Sequence, residues 1–160
     1  RRHLIIQLYV FGGAHLIQGV IHAELRGLHS VAQSSVVTDQ LELLNYRFPI
    51  ELKQIDDAFQ ANPKYRIPLA VQRLKLTGHT LETIARVAAA DTTINVDATD
   101  IQRLVKEVTT SVDLLRSLKV YKNLHIAKTE SEQFFLDVVG DSAHALRGLS
   151  IVSGERPVYY

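Results

Sequence analysis

Apolar residues recur along this chain at spacings of three and four, the period of an amphipathic α-helix. Two stretches show it most clearly: Ile67, Val71, Leu74, Gly78, Leu81, Ala85 and Ala88, and then Ile101, Leu104, Val105, Val108, Val112, Leu115 and Leu118. Alternation of apolar and polar residues is brief wherever it occurs, and no Asn-Gly or Asp-Gly pair is present to turn a hairpin. The pattern predicts an all-α protein, an antiparallel helical bundle of four to five main helices.

Prolines and capping residues predict where these helices begin and end. A first helix is expected over about residues 2–34, after which Thr38 caps a short helix that stops before Pro49. The next helix should end near Asn62, because a following proline disfavours a helical residue before it. Asp97 is placed to cap the long amphipathic stretch that follows it.

The last third of the chain predicts one more helix and a short tail. The helix capped in the preceding stretch is expected to continue to about Ala127, and Thr129 begins a new N-terminal pattern with glutamates in its first turn. Gly140 is expected to interrupt the helix that follows. We therefore expect one helical-bundle domain over residues 1–154 and a C-terminal tail over residues 155–160.

The first predicted helix is unusually apolar. The stretch from Leu4 to Ile21 carries no formal charge and follows two arginines, which also fits a membrane-spanning segment. Glycines and polar side chains within it favour a helix buried in the bundle or at an interface, and membrane association of this helix stays open. We expect partners to pack on its residues Leu4, Leu8, Phe11 and Leu16.

Composition narrows the function only by exclusion. The 18 basic and 17 acidic side chains leave a net charge of +1, which gives no drive toward nucleic acid. There is no cysteine, so disulfides, thiolate metal sites and cysteine nucleophiles are excluded, and the cellular compartment stays open. Phosphate-binding glycine loops, the Gly-x-Ser-x-Gly elbow and the His-Glu-x-x-His zinc pair are absent. The sequence leans against an enzyme and predicts no metal and no cofactor.

Three histidines, His15, His22 and His29, recur every seven residues in the first predicted helix. Successive members of this stripe lie about 10 Å apart along the axis, so one metal ion cannot bind two of them. The stripe also lies away from the apolar face of the helix. A polar flank is therefore favoured over cofactor binding.

The sharpest local feature is the segment from His144 to Gly154, which reads His-Ala-Leu-Arg-Gly-Leu-Ser-Ile-Val-Ser-Gly. It resembles the phosphoacceptor segment of histidine phosphotransfer domains, which reads His-x-Leu-Lys-Gly-x-Ser with a glycine ten residues after the histidine. Those domains are four-helix bundles that pass a phosphoryl group between a histidine and an aspartate of a response regulator. The resemblance implies that His144 accepts the phosphoryl group, Arg147 holds its oxygens and Gly148 leaves clearance for a docking partner. Arg147 stands where that family usually has lysine.

Three functions stay open on this evidence. The leading one is a non-enzymatic helical bundle that acts through protein–protein packing or self-association, as a subunit or module of a larger assembly. It depends on the apolar first helix and on a seam of small residues at which partners are expected to pack, including Gly78 and Ala85. The alternatives are a signal-relay domain acting through His144 and a ligand-sensing bundle of a membrane receptor.

Overall fold

The structure is a computed structural model that describes residues 19, 23, 32–90 and 94–155. The described residues form five α-helices and two short 3-10 helices, with no strand among them, which confirms the predicted all-α bundle. In chain order the helices are α1 (Ala32–Ala61), α2 (Arg66–Ala89), α3 (Ala98–Ser117), α4 (Leu124–Glu130) and α5 (Glu132–Val152), and the 3-10 helices are Pro63–Tyr65 and Tyr121–Asn123.

Helix α2 lies at the centre of the bundle and packs against α1, α3 and α5. Nearly every residue between Ala70 and Val87 is buried, on all faces of the helix. The core around it is built from aliphatic side chains and one phenylalanine, each contributing ~1.5–3 kcal/mol when fully buried. Its members outside α2 include Leu44 and Phe48 of α1, Leu104 and Leu115 of α3, and Val138 of α5.

The side-chain pairs give the direction of each neighbour of α2. Arg73, near the start of α2, contacts Asp56 late in α1 and Ser111 late in α3, so both of these helices run antiparallel to α2. By contrast, α5 runs parallel to α2, because Lys75 faces Asp137 whereas Glu82 faces Arg147. The long helices thus alternate in direction along the chain, and the second and the last lie side by side.

Arg73 joins three helices inside the bundle, although it is only 6% exposed. Its guanidinium donates to Asp56 at 2.8 Å, to the Glu107 carboxylate at 2.7 Å and to the Ser111 hydroxyl at 2.7 Å. Burial lowers the pKa of Arg73, but the hydrogen bonds and charges of the two carboxylates raise it more. The residue therefore stays charged and ties α1 and α3 to α2.

Helix α1 runs unbroken through Thr38 and Pro49, where the sequence predicted a cap and a helix end. Phe48 is buried just before the proline, and Leu52 packs against the core three residues after it. This burial on both sides holds the helix together against the ~3 kcal/mol cost of an internal proline. The predicted breaks were wrong because core packing outweighs the local preference.

Helix α3 ends earlier than predicted, at Ser117 rather than near Ala127. Lys119 adopts a left-handed conformation with φ of 61°. Its backbone N–H donates to the carbonyl of Arg116, and that of Val120 donates to the carbonyl of Leu115, at 2.9 and 3.0 Å. This is the double hydrogen bond of a Schellman motif, which terminates a helix. At its other end the predicted cap is confirmed, since the Asp97 carboxylate accepts the N–H of Thr99.

Helix α5 begins two residues later than predicted and is continuous. Ser131 caps it by accepting the N–H of Phe134, while Thr129 belongs to α4. The helix passes through Gly140 without interruption, because Val138 and Ala145 on either side are buried against the bundle. That packing offsets the ~1 kcal/mol that glycine costs in a helix. The division into a domain over 1–154 and a tail over 155–160 stays a prediction.

Candidate functional site

Two glycines bring α2 and α5 into close contact. A Cβ atom at Gly148 would lie 2.9 Å from the backbone nitrogen of Glu82 and from Cγ of Leu81. One at Gly78 would lie 3.1–3.2 Å from Ala145. Because the helices touch at these positions, polar side chains on the flank of the contact can reach across from one helix to the other.

Glu82 of α2 is the centre of this polar flank, and its side chain is 1% exposed. Its Oε2 lies 2.5 Å from Nδ1 of His144 in α5. Its Oε1 accepts hydrogen bonds from Arg147 at 3.1 Å and from Arg86 at 2.8 and 3.0 Å. Burial raises the pKa of the Glu82 carboxyl, but the hydrogen bonds and charges of His144 and Arg86 outweigh it and lower that pKa from 4.5 to about 2. The buried carboxylate therefore stays ionised among three nitrogen-bearing side chains.

A second histidine lies beneath the first. The rings of His79 and His144 are in contact, with their centroids 3.8 Å apart and their planes tilted by 32°. Nε2 of His79 lies 3.4 Å from Oδ1 of Asp141, and both side chains are almost fully buried. Lys75 lies near the same carboxylate, with its ammonium 3.9 Å from Oδ2. Each imidazole thus has its own carboxylate, one contributed by each helix.

At the exposed edge of this cluster, His144 has the chemistry of a nucleophile and Arg147 that of an anion-binding group. When His144 is neutral and its Nδ1–H donates to Glu82, the lone pair resides on Nε2, which makes that nitrogen a base or a nucleophile. The His144 side chain is 26% exposed and that of Arg147 is 46% exposed. A guanidinium at that position can hold anionic oxygens. Within the described residues, no group of three or more histidine, aspartate and glutamate side chains is arranged to bind a metal ion.

The side of α5 that faces away from α2 is apolar. Between Gln133 and Arg147, its exposed residues are all apolar or glycine, and we call them the α5 outer face: Leu136, Val139, Gly140, Ala143 and Leu146. The two leucines are 52% and 67% exposed and the valine 43%. The spacings of three, four and three residues from Leu136 to Leu146 follow one stripe of the helix. α5 therefore has an apolar stripe on each side, only one of which the bundle buries.

The structure brings some of the predicted site residues together. His144 and Arg147 meet at the carboxylate of Glu82, whereas Gly148 is buried against α2 of the same chain. Gly78 and Ala85 are also buried by helices of this chain. Four predicted partner-binding residues and three spaced histidines lie outside the described residues: Leu4, Leu8, Phe11, Leu16, His15, His22 and His29.

Sequence reasoning missed Glu82, Arg86 and the pair formed by His79 and Asp141. One signal was available, since Arg86 follows Glu82 by four residues and such pairs meet on a helix. The contact from Glu82 to His144 spans 62 positions and leaves no local pattern. The α5 outer face was also missed, although its residues are visible as a second apolar stripe in the sequence.

None of the helices in the described part of the chain combines the length and the apolar content that crossing a membrane requires. The sensing bundle of a membrane receptor stays a prediction. Comparison with known protein families, with curated proteins and with solved structures yields no match.

Proposed function

We propose that this protein is a non-enzymatic helical-bundle module that binds a partner helix through the α5 outer face. The observation that carries the proposal is the run of exposed apolar residues from Leu136 to Leu146, uninterrupted by any exposed polar side chain. Exposed apolar area costs about 25 cal/mol per Å² relative to its burial. Contiguous apolar patches of this kind mark interaction sites more often than single exposed leucines do.

Gly140 supports the same function. Among the described residues, a Cβ at this position would meet no atom within 4 Å, so packing against that part of the chain does not require glycine here. Glycine in the middle of a helix costs ~1 kcal/mol relative to alanine. On the outer face it allows the backbone of a partner helix to approach closely, as Gly78 and Gly148 allow on the inner face.

Photo-crosslinking from the outer face tests this proposal in the cells that produce the protein. The full chain carries p-benzoylphenylalanine at Leu136 or at Leu146, and a matched control carries it at Ile50, which is 44% exposed on α1. We expect adducts from both α5 positions and none from the control. The absence of any adduct from α5 after irradiation contradicts the proposal.

Phosphoryl transfer through His144 is a second candidate, supported by its hydrogen bond to Glu82. In this candidate Nε2 attacks the phosphorus of a phosphodonor such as acetyl phosphate. The N–P bond forms as the P–O bond to acetate breaks, and the Nδ1 proton remains hydrogen-bonded to Glu82. Incubation with acetyl phosphate followed by intact-mass measurement should then add one acid-labile phosphoryl group, and His144→Gln should prevent it. An unchanged mass in the unsubstituted chain rejects this candidate.

A further inference from the structure

We infer that the partner helix is α5 of a second copy of this chain, packed antiparallel about a two-fold axis near residue 141. The inference rests on the proposed function of the α5 outer face and names its partner. It is drawn from the order of residue sizes along that face and from the charges at its two ends.

The two leucines of the α5 outer face exchange places when the helix is reversed about residue 141. Leu136 and Leu146 lie five residues on either side of residue 141, and Val139 and Ala143 lie two residues on either side. An antiparallel copy therefore places Leu136 beside Leu146 of the second copy, twice in one interface. A two-fold interface requires this self-complementarity, since the same patch must serve both copies.

The smallest residues of the face lie where two such helices would cross. Gly140 and Ala143 flank the axis, and the leucines lie more than one turn away on each side. Helix axes approach most closely where the side chains at the contact are small. The leucines would then close the two ends of the interface over this central contact.

The charges at the ends of the face favour the antiparallel arrangement. Glu132 is exposed in the first turn of α5, and Arg147 is exposed near its other end. Reversal about residue 141 places Glu132 opposite residue 150 of the second copy, within one turn of that copy's Arg147. A parallel pair would instead put like charges beside each other. Antiparallel packing also aligns the two helix dipoles favourably.

One helix pair of this length buries less area than a permanent dimer interface, which covers about 2,000–5,000 Å² in total. We therefore expect a reversible dimer whose fraction rises with protein concentration. Light scattering after size exclusion, together with sedimentation velocity, measures that fraction for the purified full chain. A chain that stays monomeric at every concentration up to its solubility limit overturns the inference.

Charge-swap variants test the direction of packing. Leu136→Lys alone and Leu146→Glu alone should each weaken the dimer by about tenfold or more, because each places a charge against leucine. The double variant should recover association, since every lysine then faces a glutamate of the second copy. Ile50→Lys makes the same change at an exposed position of α1 and should leave association unchanged. A double variant that associates more weakly than either single variant overturns the antiparallel arrangement.

The mass of the photo-adduct separates this inference from the proposed function. An adduct of twice the chain mass supports a second copy. An adduct with a different protein retains the proposed function and overturns the inference. A crosslink within one chain, for example to residues 1–31, overturns both. Circular dichroism of each variant confirms that its helical content is unchanged before association is compared.

Discussion

Glu82 places a negative charge between two helices, where water does not reach it. Such a charge is stabilising only while its partners remain, because an ionised carboxylate left alone in the interior costs several kcal/mol. Its partners come from its own helix, through Arg86, and from α5, through His144 and Arg147. The stability of the α2–α5 contact is therefore coupled to the protonation of one residue.

The stability of the protein should fall in acid through Glu82. Its pKa is about 2 in the folded protein, below the ordinary value of 4.5. A group whose pKa is lowered by folding stabilises the folded state above the unfolded value and loses that contribution as the pH falls through the folded value. We expect a loss of about 3 kcal/mol between about pH 4.5 and about pH 2 from this residue, measured by urea unfolding at a series of pH values.

Glu82→Gln is the control for this acid effect. It should be less stable near neutral pH by about 3 kcal/mol, because breaking a buried ion pair leaves its other members unpaired. Its stability should then vary less with pH over the same interval. Asp113→Asn, at an exposed pair with Arg116, should behave like the unsubstituted chain. If the two Glu82 curves run parallel down to pH 2, Glu82 is not the source of the acid sensitivity.

At the residue scale, local spacing revealed only His144 and Arg147 of this cluster. His144 and Arg147 are three residues apart on one helix, so a sequence pattern placed them on a common face. Glu82 and His79 could not be joined to them, because their contacts depend on which helices become neighbours. The charge that holds the cluster together was therefore invisible before the fold was known.

The parallel helices α2 and α5 are held together by contacts at glycine, and the two glycines within α5 differ in this respect. Gly148 faces α2, where a Cβ would lie 2.9 Å from a backbone nitrogen, while a Cβ at Gly140 would have no atom of the described part of the chain within 4 Å. Replacing glycine by alanine should therefore have opposite effects on the stability of the protein at the two positions.

Gly148→Ala should destabilise the protein by about 1–3 kcal/mol, because the backbone of α2 must shift to admit the methyl group. Gly140→Ala should stabilise the monomer by up to about 1 kcal/mol through helix propensity alone. Urea unfolding at a protein concentration where the chain is monomeric compares the two variants. Equal stability of the two variants would show that the helices do not approach as closely as described.

Element boundaries were predictable where a side chain itself makes the cap. Asp97 caps α3 as its sequence position indicated, because its carboxylate accepts a hydrogen bond from the backbone N–H of Thr99, two residues later. The predicted helix breaks at Pro49 and Gly140 were wrong, because the residues on both sides of each are buried against other helices. The end of α3 was missed for a different reason, since a lysine in the left-handed conformation lacks the glycine signal that usually marks such an end.

The described part of the molecule is organised around α2, with α1, α3 and α5 packed on it. Such an arrangement makes the central helix the last to open, because exposing it requires at least one neighbour to leave. α4 is the opposite case: it has seven residues and its described side chains are exposed or only partly buried. Helices this short are marginal without tertiary contacts.

Hydrogen exchange followed by mass spectrometry should rank the helices accordingly. Amides of α2 between Ala70 and Val87 should exchange most slowly, at rates that report global unfolding. Amides of α4 should exchange fastest among the five described helices. Peptides of α4 that are protected as strongly as those of α2 would contradict the central role of α2.

The fold class could be predicted from the sequence because helical periodicity is local. The central position of α2 could not be predicted. The residues of α2 at Thr77, His79, Glu82 and Thr83 are polar and buried. A sequence reading places such residues on a solvated face. Only the encirclement of α2 by three helices explains why its polar side is buried as well.

The helices that cover the two sides of α2 are synthesised at different times. Asp56, the partner of Arg73 in α1, has already been synthesised when α2 emerges. His144 follows Glu82 by 62 residues, which takes roughly 3–12 s at a synthesis rate of ~5–20 residues per second. During that interval the nascent chain presents the glycine-containing side of α2 and an ionised carboxylate to solvent or to a chaperone. A chain on a ribosome stalled before residue 144 would therefore expose the side of α2 that α5 covers in the finished protein.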